Sequence, residues 1–161
     1  LLIHLHLHQF LAGRVQHVHR AGYARVEAVD RALDFERLVG DGELVVFYFG
    51  PGQGGDAMSN AVRWANQFAQ PDGRAPQEAM KNEQIQVGDI PVLLTEVTGT
   101  YSGGMTMMGG ESANLENHML LGAIAQGGDA NWFFKLTGPE ATVAPQREAF
   151  RGMIESLTRG G

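Results

Sequence analysis

The sequence predicts an α+β domain, a largely antiparallel sheet covered by helices in the order β-α-β-β-β-β-α. Three observations predict it. Strand-length apolar runs recur at 43–49, 118–126 and 131–136, the first and last rich in aromatic residues. Short Gly/Asp turns separate neighbouring runs. Apolar residues fall at helical spacing near both ends of this region, so helices can cover the sheet.

Residues 43–49 (ELVVFYF) form an unbroken apolar run, which reads as a central strand buried on both faces. Residues 50–55 (GPGQGG) form a loop. Asp56 or Ser59 then caps a helix reaching Phe68. Its apolar stripe is Met58, Ala61, Val62, Ala65 and Phe68; Asn60, Arg63 and Gln67 fall opposite, with Trp64 at the boundary. The turn at 70–74 (QPDGR) stops it.

Residues 83–87 alternate as a half-exposed strand, Gly88 and Asp89 reverse the chain, and 91–101 returns to complete a hairpin. Residues 102–117 carry Gly-Gly pairs, Met105, Met107 and Met108 without periodicity, which reads as a long mobile loop. Strands at 118–126 and 131–136 follow, joined through Gly127, Gly128 and Asp129. Pro139 and Glu140 open a helical region, Pro145 restarts it, and the main helix runs over 146–157.

The totals fit one domain with an appendage. Apolar content of 43% and charged content of 19% match an ordinary globular chain. The absence of cysteine excludes disulfides, thiolate metal sites and thiol nucleophiles. A net charge of −6 argues against nucleic acid and anionic membrane surfaces as partners. No apolar run reaches the roughly 18 residues of a membrane helix. The expected partner is a protein or a small ligand.

Residues 1–41 differ in style. They hold His4, His6, His8, His17 and His19, and Arg14, Arg20, Arg25, Arg31 and Arg37 at about six-residue spacing, without lysine. Two readings stay open. One is a natural N-terminal arm, disordered in part, with a helix over 22–39. The other is a misread or frame-shifted start. The chain opens on Leu1 rather than Met, which suggests a fragment of a longer frame. The single domain is placed at 42–161.

Several blocks then look familiar together: ELVVFYFGPGQGG (43–55), Asn60, Arg63, Trp64, Gln67 and Phe68, FFKLTGPEATV (133–143) and AFRGMIESL (149–157). They resemble a family of uncharacterised bacterial envelope proteins, described as lipoproteins, of planctomycete-like genomes. The resemblance spans residues 42–158. It implies a periplasmic or cell-envelope location, and a lipid anchor on an N-terminal cysteine in a longer form of the chain. It brings no catalytic residues. The KLTG strand end (135–138), followed by a helix closing on Phe150, also resembles PsbP/Mog1-like domains. That implies a helix-covered antiparallel sheet and an accessory, binding role.

Four motifs carry candidate chemistry. His4, His6 and His8 share one face of a strand and have metal-ligating spacing, with His17 and His19 to complete a shell. Gly50, Gly52 and Gly55 match the letters of a dinucleotide fingerprint. A Rossmann unit needs a parallel strand ending in an acid, whereas Asp72 sits in a loop. The glycines then serve a sharp reversal with positive backbone angles. Asn60, Arg63, Trp64 and Gln67 lie about one turn apart, as a ligand- or partner-binding face or as a solvated face with Trp64 in the core. Met105, Met107, Met108 and Met119 offer thioethers to copper(I), or cover an apolar patch.

No serine has His–Asp company at a telling spacing, and His118 is the one histidine after residue 41. The reading is a non-enzymatic envelope domain that binds a partner or small ligand, with no catalytic residues, no bound metal and no cofactor. The alternative is a small enzyme or metal-binding protein using the histidines or the methionine-rich loop.

Overall fold

The computed structural model describes residues 3–4, 33–39, 42–102 and 114–159. His6, His8, His17, His19, Met105, Met107 and Met108 lie outside the described residues.

Strands β2 (Leu33–Val39), β3 (Gly42–Tyr48), β4 (Phe68–Ala69), β5 (Lys81–Val87), β6 (Ile90–Tyr101), β7 (Leu115–Gln126) and β8 (Asn131–Pro139) form one sheet. Its order is β2-β3-β8-β7-β6-β4, with β5 also on β6. Every pairing is antiparallel. Two-residue strands β1 (Ile3–His4) and β9 (Thr158–Arg159) pair separately. The helices are α1 (Ala57–Ala65), α2 (Pro76–Ala79), α3 (Glu140–Val143) and α4 (Arg147–Glu155), with a 3-10 turn over Ala144–Gln146.

Alternation along the strands builds a core on each face. Leu44, Val46 and Tyr48 of β3 join Trp132, Phe134 and Leu136 of β8 under Val143, Phe150 and Ile154 of α3 and α4. The opposite face sends Leu93, Val97, Leu120, Ile124 and Phe133 against Ala61 and Trp64 of α1. The sheet is therefore covered by helices on both sides, as α+β architecture requires.

Several expectations change. Residues 33–39 are a strand paired along the whole of β3, not a helix. The sheet thus takes in residues that the sequence reading gives to the N-terminal arm. LDFERLV alternates apolar and polar residues over its first four positions, a strand period that the ragged apolar face read over 22–39 passes over. Helix α1 stops at Ala65, and Phe68 enters β4 opposite Tyr101. Phe68 continues the helical spacing, but strand pairing takes it. A short helix, α2, precedes β5. Strand β7 begins at Leu115, inside the expected loop.

Gly99 explains how β4 reaches β6. Its φ is +151°, and a Cβ there would stand 2.5 Å from the Ala69 carbonyl oxygen. The register of β6 against β7 shifts between Gly99 and Tyr101, where the missing side chain lets two backbones meet.

Candidate functional site

Helix α1 lies across one sheet face, and its edge toward β3 carries most of the sequence-predicted site. Asp56 caps it, its carboxylate accepting from the Ser59 N–H at 2.9 Å. The preceding loop reverses through Gly50, Gly52, Gly54 and Gly55, all at positive φ. At Gly54 a Cβ would stand 2.9 Å from the Phe133 ring. These angles are those expected from the glycine pattern. The fingerprint reading does not fit this geometry. The strands are antiparallel, and the Asp56 carboxylate occupies the helix N-terminus where a phosphate would sit.

The four candidate residues do not share one exposed face. Asn60 is 4% exposed. Its amide donates to the carbonyls of Gly54 at 2.6 Å and Asp56 at 2.8 Å, tying the loop to the helix. Arg63 is exposed and donates to the Asn60 side-chain oxygen. Trp64 is buried over Gly122, edge-on to Phe133 at 6.3 Å. Gln67, just past the helix end, accepts from Lys135 Nζ at 2.7 Å. The expected stripe is rotated: Met58 is 44% exposed, while Asn60 turns inward. An amide can do so because its donors are met inside by the Gly54 and Asp56 carbonyls.

Three more groups join this edge: Lys135 and Tyr101, which the sequence reading missed, and His118, which it held only under the alternative reading. Lys135 lies on β8, opposite Val45 of β3 and beside the Phe47–Phe133 pair. Its ammonium sits 5.5 Å from the centre of the Tyr101 ring. Burial pulls its pKa down to about 8, and the field of Glu43 opposes that only in part. Tyr101 packs between Phe68 at 4.9 Å and His118 at 6.2 Å, and burial, then Glu43, raises its phenol. His118 Nδ1 lies 2.9 Å from the Glu116 carbonyl oxygen. Beyond the helix, Phe47 and Phe49 stack at 6.1 Å, and Phe49 meets Phe133 edge-on at 5.5 Å while staying 42% exposed. A cleft of about 470 Å³ opens here, between Phe49, the Gly54–Asp56 turn and Arg63.

The other face has its own cleft, about 420 Å³, between α4 and the β5–β6 hairpin. Leu94, Leu121 and Phe150 line it. Arg147 grips both oxygens of Glu96 at 2.8 and 3.0 Å, and Arg151 grips both of Glu83 at 2.8 and 2.9 Å. These bidentate pairs hold helix to hairpin. The Arg147 hydrogen bonds hold the Glu96 carboxyl below its usual range, against the effect of its partial burial.

Among the described residues no three metal-ligating side chains converge. No described helix is long and apolar enough to cross a membrane. No protein-family model matches the chain, and no curated protein does. Among solved structures, PA94 from Pseudomonas aeruginosa, a protein of unknown function, is similar at a TM-score of 0.49 and 12% identity. The match covers 91% of this chain and 96% of that one.

Proposed function

We propose that the chain is a non-catalytic binding domain of the cell envelope, and that it takes a segment of a protein partner along the α1 edge facing β3. One observation carries the reading. Phe49, a large aromatic ring 42% exposed, stacks beside Phe47 and lines one cleft with the polar side chains of Asp56, Ser59 and Arg63. An exposed aromatic anchor rimmed by polar groups is the usual make-up of a protein contact. The cleft is open and shallow, which suits a chain segment better than an enclosed small molecule.

The envelope location rests on the resemblance of residues 43–55, 133–143 and 149–157 to envelope proteins, as does a lipid anchor in a longer form. The PsbP/Mog1-like kinship has the same standing and agrees with a binding role.

A photo-crosslinking residue placed at position 49 tests the surface, with position 86 on exposed β5 as control. The reading expects a discrete cross-linked partner from position 49 in envelope extracts and none from position 86. Equal capture at both positions, or none at 49, contradicts it.

A further inference from the structure

We infer that the segment bound along this edge is acidic, its carboxylates meeting Arg63 and Lys135; the inference rests on the reading above and deepens it. Among the described residues the cationic side chains divide into two kinds. Arg74 pairs with Asp72, Lys81 and Arg147 with Glu96, and Arg151 with Glu83 and Glu155. Arg63 and Lys135 instead donate to neutral amides, Asn60 and Gln67. Both amides stand on or just past α1, so the two cations bracket one edge.

A half-buried ammonium held by an amide and an aromatic ring has lost water without gaining a full counter-charge. A carboxylate from outside completes the set, and the same holds for the exposed guanidinium, which offers a bidentate fork. Phe49 lines the cleft with Arg63, and Phe47, paired with Phe133 two positions along β8 from Lys135, stacks on it, so apolar contact is at hand for the same segment. On a chain of net charge −6, two cations hydrogen-bonded to amides rather than to carboxylates form a local complement to an acidic ligand.

The groups facing Lys135 are Gln67 beyond α1, Tyr101 on β6 with His118 of β7 stacked behind it, and Glu43 on β3. Glu43 already bears on the ammonium through its field, so an incoming carboxylate adds to a partial compensation. Burial holds the pKa of the Lys135 ammonium down at about 8. Affinity for an acidic segment therefore falls as pH rises through 8.

The test uses the full chain and two synthetic peptides, one alternating glutamate with phenylalanine and one alternating lysine with phenylalanine. Binding is read by side-chain NMR of Arg63 and Lys135, and by Trp64 fluorescence in a Trp132→Phe background. The acidic peptide is expected to bind about tenfold tighter at low salt, to shift both side chains, and to raise the titration midpoint of Lys135. Arg63→Gln and Lys135→Gln should each weaken it severalfold, while Lys135→Arg retains most of the affinity at high pH. Arg63 is exposed, so its variant keeps the test informative if Lys135→Gln fails to fold. Equal affinity for both peptides, or an unmoved Lys135 midpoint, overturns the inference. If position 49 still captures a partner in that case, the binding surface stands and only its charge preference is wrong.

Discussion

The Trp64 ring occupies the place of a side chain at Gly122: a Cβ built on Gly122 would stand 2.6 Å from Trp64 Cζ3. Thr95 Cγ2 closes the other side, also at 2.6 Å. Helix α1 therefore sits down on β7 through one missing side chain. Gly122→Ala should cost about 1–3 kcal/mol by overpacking, read by urea denaturation. Trp64→Phe should cost less in that background than in the wild type, and a double-mutant cycle gives the coupling.

Asn60 should matter to stability before it matters to binding. Asn60→Ala removes the side-chain donor from the carbonyls of Gly54 and Asp56, of which Asp56 keeps the backbone N–H of residue 60 at 3.3 Å. A loss of about 1–3 kcal/mol is expected. Amide exchange should quicken at Gly52, whose N–H donates to Asp129 at 3.1 Å, as the loop loosens. A stability equal to wild type would contradict this assignment.

Much of the sheet was legible because its signals are local. The ELVVFYF run, the Gly88–Asp89 reversal and the aromatic strand ending in Lys135 each state their structure within a few residues. The rest depends on partners distant in sequence. Phe68 is the fifth member of a helical stripe, and only Tyr101 makes it a strand residue. Asn60 counts as polar in any periodicity, yet loop carbonyls draw it inside. Lys135 was hardest to see as a site residue. Its isolation among Trp132, Phe133 and Phe134 was a usable signal, since a lone cation in a buried strand needs company. That Gln67 and Tyr101 provide the company is set by the register of β6 to β8 and the end of α1.

Lys135 should leave a mark on stability at alkaline pH. Its folded pKa, about 8, lies below the unfolded value of about 10.4. Between these values the unfolded chain binds more protons, so this group makes stability rise with pH over that window. Below pH 8 the folded domain bears the cost of a desolvated cation. Lys135→Met should lose the rise between pH 8 and 10 and be no less stable than wild type at pH 7 in thermal melts. An unchanged alkaline profile would contradict the placement of the amine.

At Glu96 the slope has the same sign but lies in the acid range, and there the charged form is the favoured one. Its folded pKa is depressed by Arg147, so its contribution is complete above the usual carboxylate range and is lost as pH falls through the folded value. Glu96→Gln should flatten the acid limb of the stability curve. The Glu96–Arg147 coupling should be about 1 kcal/mol at neutral pH, because Arg147 is half exposed and solvent screens the pair. High salt should reduce it.

The most direct test of the binding surface is chemical-shift mapping of the isotope-labelled chain with the partner captured at position 49. The account predicts shifts concentrated at Phe47, Phe49, Asn60, Arg63, Gln67 and Lys135, with α4 and the β5–β6 hairpin quiet. Shifts concentrated along Arg147 and Arg151, with the α1 edge unmoved, would contradict it.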